Sequence, residues 1–326
     1  MSRRTGVLAL KFALGGVLLA LLLARENTLP HTISVLGRFD WNLLPPLAGV
    51  TILLLGLSCL KWQLVLRARG ARVGLLRLMG LYTIGNFFSN FLPTMVGGDL
   101  VRGYVLGRQI DSQSRSIASV FLERFTGFLA LILLCAGALI LRPELLRRPI
   151  VLWTSILMIA GCLCLAAAIR WPRAVASPLS ALSRGTWGAK ILHSLGLIHA
   201  EVDTFRKQPR AVAGAMAYSF LFHLFAGVNT FLAARAIGLE VGLVETMVLT
   251  PLILLVSAVP LTPNGLGIWE WAFSVYLGTA GALPAQGLAV ALILRAESLA
   301  SSIIGGLLFL AEGRRRWAAS DRDNGR

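Results

Sequence analysis

Pro260-Leu261-Thr262-Pro263-Asn264-Gly265-Leu266-Gly267 closes an apolar run that begins near residue 246, and Leu92-Pro93-Thr94-Met95-Val96-Gly97-Gly98-Asp99 closes one that begins near residue 75. Each follows an apolar arm that can enter a bilayer, but the piece after each cannot complete a crossing, which takes about 20 apolar residues. Residues 99–110 carry Arg102 and Arg108, and the apolar piece 268–280 is too short. Both stretches therefore read as re-entrant helical hairpins, 75–110 and 246–280. Non-helical backbone at membrane depth is tolerated only where protein or water covers it, so two such tips imply a polar cavity.

Outward from the hairpins, six stretches are long and apolar enough to span: about 5–24, 43–60, 116–141, 150–169, 211–234 and 288–311. The composition agrees. Of 326 residues 56% are apolar and 14% charged, against roughly 45–50% and 25% in a soluble domain. The chain reads as an all-α integral membrane protein with a single polytopic domain over 1–326. Its net charge of +16 would suggest a polyanion partner in a soluble protein. Here the basic residues lie mostly in short loops, so positive-inside topology accounts for them and no nucleic-acid partner is expected. With the amino end cytoplasmic and each hairpin returning to its own side, the inside segments hold 22 Lys+Arg and the outside segments 6. If every apolar piece crossed instead, the division would be 11 inside and 17 outside. The charge distribution favours six spans plus two hairpins, with both termini cytoplasmic in the cell (inner or plasma) membrane.

In that topology the two hairpins enter from opposite faces. Residues 43–141, with hairpin 75–110, are matched in element order by 211–311, with hairpin 246–280. This is the pattern of an inverted repeat, which in secondary transporters places the substrate site between two broken helices. Between the halves, 170–210 reads as a cytoplasmic connecting loop, with an amphipathic helix over about 191–207.

Ionisable residues within spans cost roughly 2.5–3.5 kcal/mol each on insertion scales, so they need partners or a wet cavity. Glu123 and Arg124 lie in one span, Arg295 and Glu297 in another, at similar depths from opposite faces. Adjacent residues project about 100° apart on a helix, so Glu123 or Arg124 must find a partner on another element. Each pair reads either as an internal salt bridge or as the lining of a substrate path. The first hairpin adds Asn90, Pro93, Gly97, Gly98, Asp99 and Arg102, and the second Pro263, Asn264, Gly265, Gly267 and Glu270. His223 and Asn229, inside the span 211–234, read as interhelical hydrogen-bonding groups. Cys59, Cys135, Cys162 and Cys164 and the four histidines show no metal-ligand spacing, so neither a metal nor a cofactor is expected.

Asn86-Phe87-Phe88-Ser89-Asn90-Phe91-Leu92-Pro93, Gly97-Gly98-Asp99-Leu100-Val101-Arg102, Ser119-Val120-Phe121-Leu122-Glu123-Arg124 and Pro260-Leu261-Thr262-Pro263-Asn264-Gly265-Leu266-Gly267-Ile268-Trp269-Glu270 resemble the lysylphosphatidylglycerol synthase transmembrane-region family, also called flippase-like domain proteins. The resemblance covers nearly the whole chain. In full-length aminoacyl-phospholipid synthases such a membrane domain precedes a soluble synthase domain; this chain looks like the translocating half alone, which implies that synthase activity is not carried over.

The expectation is a lipid transporter that moves a phospholipid or polyprenyl-phosphate-type lipid between leaflets. Its headgroup, anionic or zwitterionic, would pass through the polar cavity, with Arg102, Arg124 and Arg295 meeting a phosphate. Asp99, Glu123, Glu270 and Glu297 would orient those arginines, receive a cationic headgroup or accept a coupling proton. The alternative is a membrane-embedded glycosyl or aminoacyl transferase acting on a lipid phosphate, or an accessory subunit of one. A homo-oligomer or a lipid-modifying partner enzyme is compatible with either.

Overall fold

The computed structural model describes residues 3–24, 28–91, 97–170, 205, 207–259 and 261–324, and it is helical throughout, with no strand among them. Among the described residues eleven α-helices follow in order: α1 (Arg3–Leu23), α2 (Thr28–Leu36), α3 (Leu44–Ala68), α4 (Leu75–Phe91), α5 (Gly97–Gln109), α6 (Gln113–Leu141), α7 (Pro149–Arg170), α8 (Pro209–Ala236), α9 (Leu243–Ser257), α10 (Ile268–Gly278) and α11 (Pro284–Asn324). Prolines start several of them. α3 and α8 carry Pro in the first turn, where the missing N–H would have had no helical partner and the fixed φ suits the helix. α3 and α8 also end alike. Gly70 and Gly238 adopt left-handed φ of 77° and 72°, the N–H of Ala71 bonds the Leu66 carbonyl, and that of Leu239 bonds the Ala234 carbonyl. These are the six-to-one bonds of a Schellman cap.

Four segments are long and apolar enough to cross a bilayer unaided: Trp41–Ala68, Gln113–Leu141, Pro209–Ala236 and Pro284–Ala311. A fifth arises if the bent pair Leu10–Leu23 and Thr28–Leu36, which turn through 83°, counts as one span. Six spans were expected. The first of them is bent because the segment read as a loop, 25–42, contains helix α2. The stretch 150–169 is helical, but its apolar part with described side chains, Pro149–Gly161, is shorter than a span. The amphipathic helix expected over 191–207 falls almost wholly outside the described residues, as does Pro93. The last helix does not stop near residue 311 but continues to Asn324.

The polarity of the exterior is the reverse of a soluble protein's. Ile140 is 78% exposed and Leu310 63%, whereas Arg102, Glu123 and Glu270 are at most 3% exposed. Such a surface is satisfied by hydrocarbon rather than water, and charges buried within it must be paired. Together with the spans, this makes the chain a multi-pass membrane protein.

The interior holds two main apolar clusters. One is centred on α8 to α11 and includes Leu249, Ile253, Phe273, Tyr276 and Val290. The other joins α3 to α6 through Trp62, Leu66, Leu78, Leu81, Leu106 and Val120. α3 packs along α8, α4 along α11 and α9 along α6. The arms of each expected hairpin, α4 with α5 and α9 with α10, pack against each other, and each hairpin's second arm packs on the long helix after it.

Candidate functional site: two clusters of acids and arginines

α5 can lie against α4 because both lack a side chain where they touch. A Cβ on Gly98 would collide with the Gly85 carbonyl oxygen and the Ser89 hydroxyl. This close approach brings the first turn of α5 over the middle of α6, where the acids and arginines meet.

Asp99 is the third residue of α5. Its carboxylate accepts from Arg102 Nε at 3.0 Å and is clamped by Arg124, whose Nε and Nη2 donate to Oδ2 and Oδ1 at 2.8 Å each. A guanidinium matches a carboxylate in this two-point geometry as no ammonium does. Glu123 turns the other way, accepting from Arg102 Nη2 at 2.6 Å and from Lys61 Nζ of α3 at 2.9 Å. Arg102 links the two acids. It also lies between aromatic faces, its guanidinium carbon 4.6 Å from the Trp62 ring centre and 4.3 Å from that of Tyr82, contacts worth about 0.5–2 kcal/mol each where desolvated. The Trp62 indole N–H donates to Ser119 Oγ at 3.0 Å, holding the ring in place.

Three cations, Lys61, Arg102 and Arg124, thus face two carboxylates. The cluster carries one formal positive charge in excess, and Arg102 Nη1 is buried with no hydrogen-bond acceptor. Arg124, 53% exposed at its side chain, is the cation of the cluster that reaches the surface.

The second tip turns through left-handed residues: Asn264 at φ 48°, Gly265 at 65° and Gly267 at 82°. Glu270 is the third residue of α10. It accepts from the Gly267 backbone N–H at 2.8 Å and from Arg295 Nε at 2.5 Å; Arg295 Nη1 reaches the Asn264 carbonyl at 3.5 Å. The correspondence with the first tip is close. Arg124 and Arg295 are each the twelfth residue of their helix, and each lies 25 residues after the acid it binds.

The tips touch. Asn264 Nδ2 donates to Asn90 Oδ1 at 2.8 Å, and Asn90 Nδ2 donates to the hydroxyls of Ser302 and Ser298 on α11.

Arg295 and Glu297, two positions apart in sequence, do not pair with each other. Glu297 Oε2 accepts from Thr51 Oγ1 of α3 at 2.9 Å and from Asn229 Nδ2 of α8 at 2.8 Å. Glu123 and Arg124 likewise both find partners on other elements. Among the expected residues Gly97, Gly98, Asp99, Arg102, Glu123 and Arg124 form one cluster, Asn264, Gly265, Gly267, Glu270 and Arg295 form a second, and Asn90 meets the second through Asn264. Pro263 is buried in the second tip, and Glu297 stands apart with Asn229. Sequence reasoning missed Lys61, Trp62, Tyr82 and Thr51. Lys61 was placed at the start of a loop, although the apolar run resumes after it at Trp62 and extends to Leu66; a lone Lys within an apolar run was the available signal. His223 Nε2 is 3.0 Å from the Gly127 carbonyl oxygen of α6. Among the described residues no three His, Cys, Asp or Glu side chains gather in a way that could hold a metal ion.

The family model described as "Lysylphosphatidylglycerol synthase TM region" matches residues 8–306. The chain belongs to this family. The match takes in both tips, all five ions of the first cluster and the Glu270–Arg295 pair. The chain is also 23% identical over 261 residues, 74% of its length and 77% of the relative's, to a "UPF0104 membrane protein" of Methanothermobacter thermautotrophicus (strain Delta H). No solved structure matches. Membership fits a membrane role related to lipids.

Proposed function

We infer that the protein moves an amphipathic lipid between leaflets, its headgroup crossing between the two hairpin tips while the tails stay in the bilayer. The observation that carries this reading is the repeated acid–arginine pair, Asp99–Arg124 and Glu270–Arg295, at equal spacing on two hairpins whose tips touch. In this reading the halves form an inverted repeat, 43–141 and 211–311, related by a pseudo-two-fold axis in the membrane plane. The paired helix contacts, with α4 on α11 answered by α9 on α6, and the matching caps of α3 and α8 support it. The hairpins then enter from opposite faces, and separation of Asn90 from Asn264 opens the passage.

The excess positive charge of the first cluster suits a lipid phosphate. Arg124 meets the phosphate from the exposed side of the cluster, and Arg102 holds an unused donor behind it. Asp99 and Glu123 keep the arginines oriented and neutralise most of their charge, so an anion is attracted without being held too tightly to leave. The positive-inside count supports cytoplasmic termini.

The test is leaflet exchange. Purified protein in vesicles carrying fluorescent analogues of phosphatidylglycerol, lysylphosphatidylglycerol or a polyprenyl phosphate is exposed to a membrane-impermeant quencher. Transport predicts that the inner-leaflet pool of at least one analogue becomes accessible faster than in protein-free vesicles, and that Arg124→Ala abolishes the gain. Equal rates with and without protein for all three would reject the reading for these lipids.

A further inference from the structure

Glu297 differs from every other acid in the described core. Asp99, Glu123 and Glu270 each bind at least one arginine or lysine. Glu297 has two neutral donors on one oxygen, from Thr51 and Asn229. Its other oxygen, Oε1, is buried without a hydrogen-bond partner, and so is Asn229 Oδ1. Asn229 is only 6% exposed. The same two side chains are thus joined at Nδ2–Oε2 and each leaves an acceptor without a donor. Two buried acceptors without a donor are costly. A carboxylic acid and a primary amide have a simple remedy in apolar surroundings: the amide N–H bonds the acid's carbonyl oxygen while the acid O–H bonds the amide oxygen. One proton on Oε1 supplies the missing donor and removes the unpaired charge.

Charged groups on the surrounding helices do not provide a substitute. On its own helix Arg295 is committed to Glu270 of α10. On α3, Lys61 is bound to Glu123 and lies ten residues from Thr51, about 15 Å along the axis, with Arg67 farther still. On α8, His223 contacts the Gly127 carbonyl, Arg235 stacks on Phe231, and Arg210 and Tyr218 are 11 or more residues from Asn229, over about 16 Å. α4 contributes Arg77, bonded to Gln109, and Tyr82, against Arg102; α10 contributes Tyr276, bonded to Thr154; α2 contributes His31.

We propose that Glu297, with Asn229 and Thr51, is a proton-binding site, and that its loading and unloading couples a proton gradient to lipid movement. The coupling half rests on the transport reading above; the binding half does not. The step is a proton transfer: Oε1 takes a proton from a hydronium ion of one aqueous face, whose O–H bond breaks as the carboxyl O–H forms, and gives it up to water of the opposite face when the passage opens there, which restores the carboxylate.

The binding half is tested on purified protein in lipid nanodiscs by infrared difference spectroscopy between neutral and alkaline pH. The expected result is a protonated-carboxyl C=O band at neutral pH that shifts in heavy water, disappears as the pH rises, and is missing in Glu297→Gln but kept in Glu240→Gln. Asn229→Leu should keep the band and move its titration midpoint. A band that survives in Glu297→Gln, or no titrating band in the wild type, overturns the site. A band abolished at neutral pH by replacing choline with sodium makes the ligand a sodium ion and overturns the proton. For coupling, lipid exchange in vesicles is measured with and without an imposed pH difference. The ratio should differ from one in the wild type and equal one in Glu297→Gln; a ratio that persists in the variant overturns the coupling. If the wild type moves no lipid, the transport reading fails while the infrared result still decides the site.

Discussion

Glu123 is the residue on which the first cluster turns, because it alone holds both Lys61 and Arg102. Removing one partner of a buried ion pair leaves the other charge unpaired in a medium that solvates it poorly, typically at a cost of about 3–5 kcal/mol. Glu123→Leu should therefore lower stability by about that amount, read from denaturant unfolding in detergent. The added replacement of Lys61 by Met should restore part of the loss, since it removes an orphaned charge; a purely additive double mutant would contradict the coupling. Arg124→Ala belongs to a different class. Asp99 keeps Arg102 as a partner when Arg124 is removed, so no buried charge is orphaned and the fold should survive. Leaflet exchange should nonetheless fall by at least about tenfold, the kinetic equivalent of one charge-assisted hydrogen bond. Arg124→Lys should not rescue it, because an ammonium cannot make the two-point contact with Asp99. Much of this cluster was legible in the sequence, since ions in apolar runs are conspicuous. Lys61 was not, because a span that ended at Leu60 turned it into a loop residue. The partition of Arg295 from Glu297 was not legible either: nearness in sequence says nothing about which neighbouring helix each side chain faces.

At the scale of elements, the hairpins depend on the packing of α4 on α5 and on contact between the tips. Gly98→Ala puts a methyl group into the Gly85 carbonyl and the Ser89 hydroxyl. Overpacking of this kind costs about 1–3 kcal/mol, and since the strain falls on the arms that carry Asp99 and Arg102, exchange should drop as well. The comparison of Gly98→Ala with Gly49→Ala, where the space is open, checks this in a thermal-shift assay. The tip contact predicts that Asn90→Cys and Asn264→Cys in one chain are joined by a short bifunctional thiol reagent, and that the joined protein ceases to move lipid. Apolar run length gave most of the long helices, and the proline and glycine punctuation marked where α9 gives way to α10; the corresponding turn before α5 lies outside the described residues. The 83° bend after α1 was not foreseeable, because the turn lies between two apolar pieces either of which reads as part of a span or of a loop.

For the molecule as a whole, the proposed orientation predicts opposite accessibility at the two ends. In a cysteine-free background, Arg72→Cys between α3 and α4 should react with an impermeant thiol reagent from the cytoplasmic side, and Glu240→Cys between α8 and α9 from the other. Labelling of both from one side would remove the inverted topology and with it the passage between the tips. The hairpin arms are also shorter than the bilayer is thick. At 1.5 Å per residue helices of 17, 13, 15 and 11 residues measure about 26, 20, 23 and 17 Å, whereas the hydrocarbon layer is about 30 Å deep. Lipids bordering α5, whose Leu100 and Tyr104 are 56% and 54% exposed, must compress or tilt to cover so short a helix, so in the proposed passage the bilayer is pinched beside the first cluster and acyl-chain length becomes a control on the rate that needs no substitution in the protein.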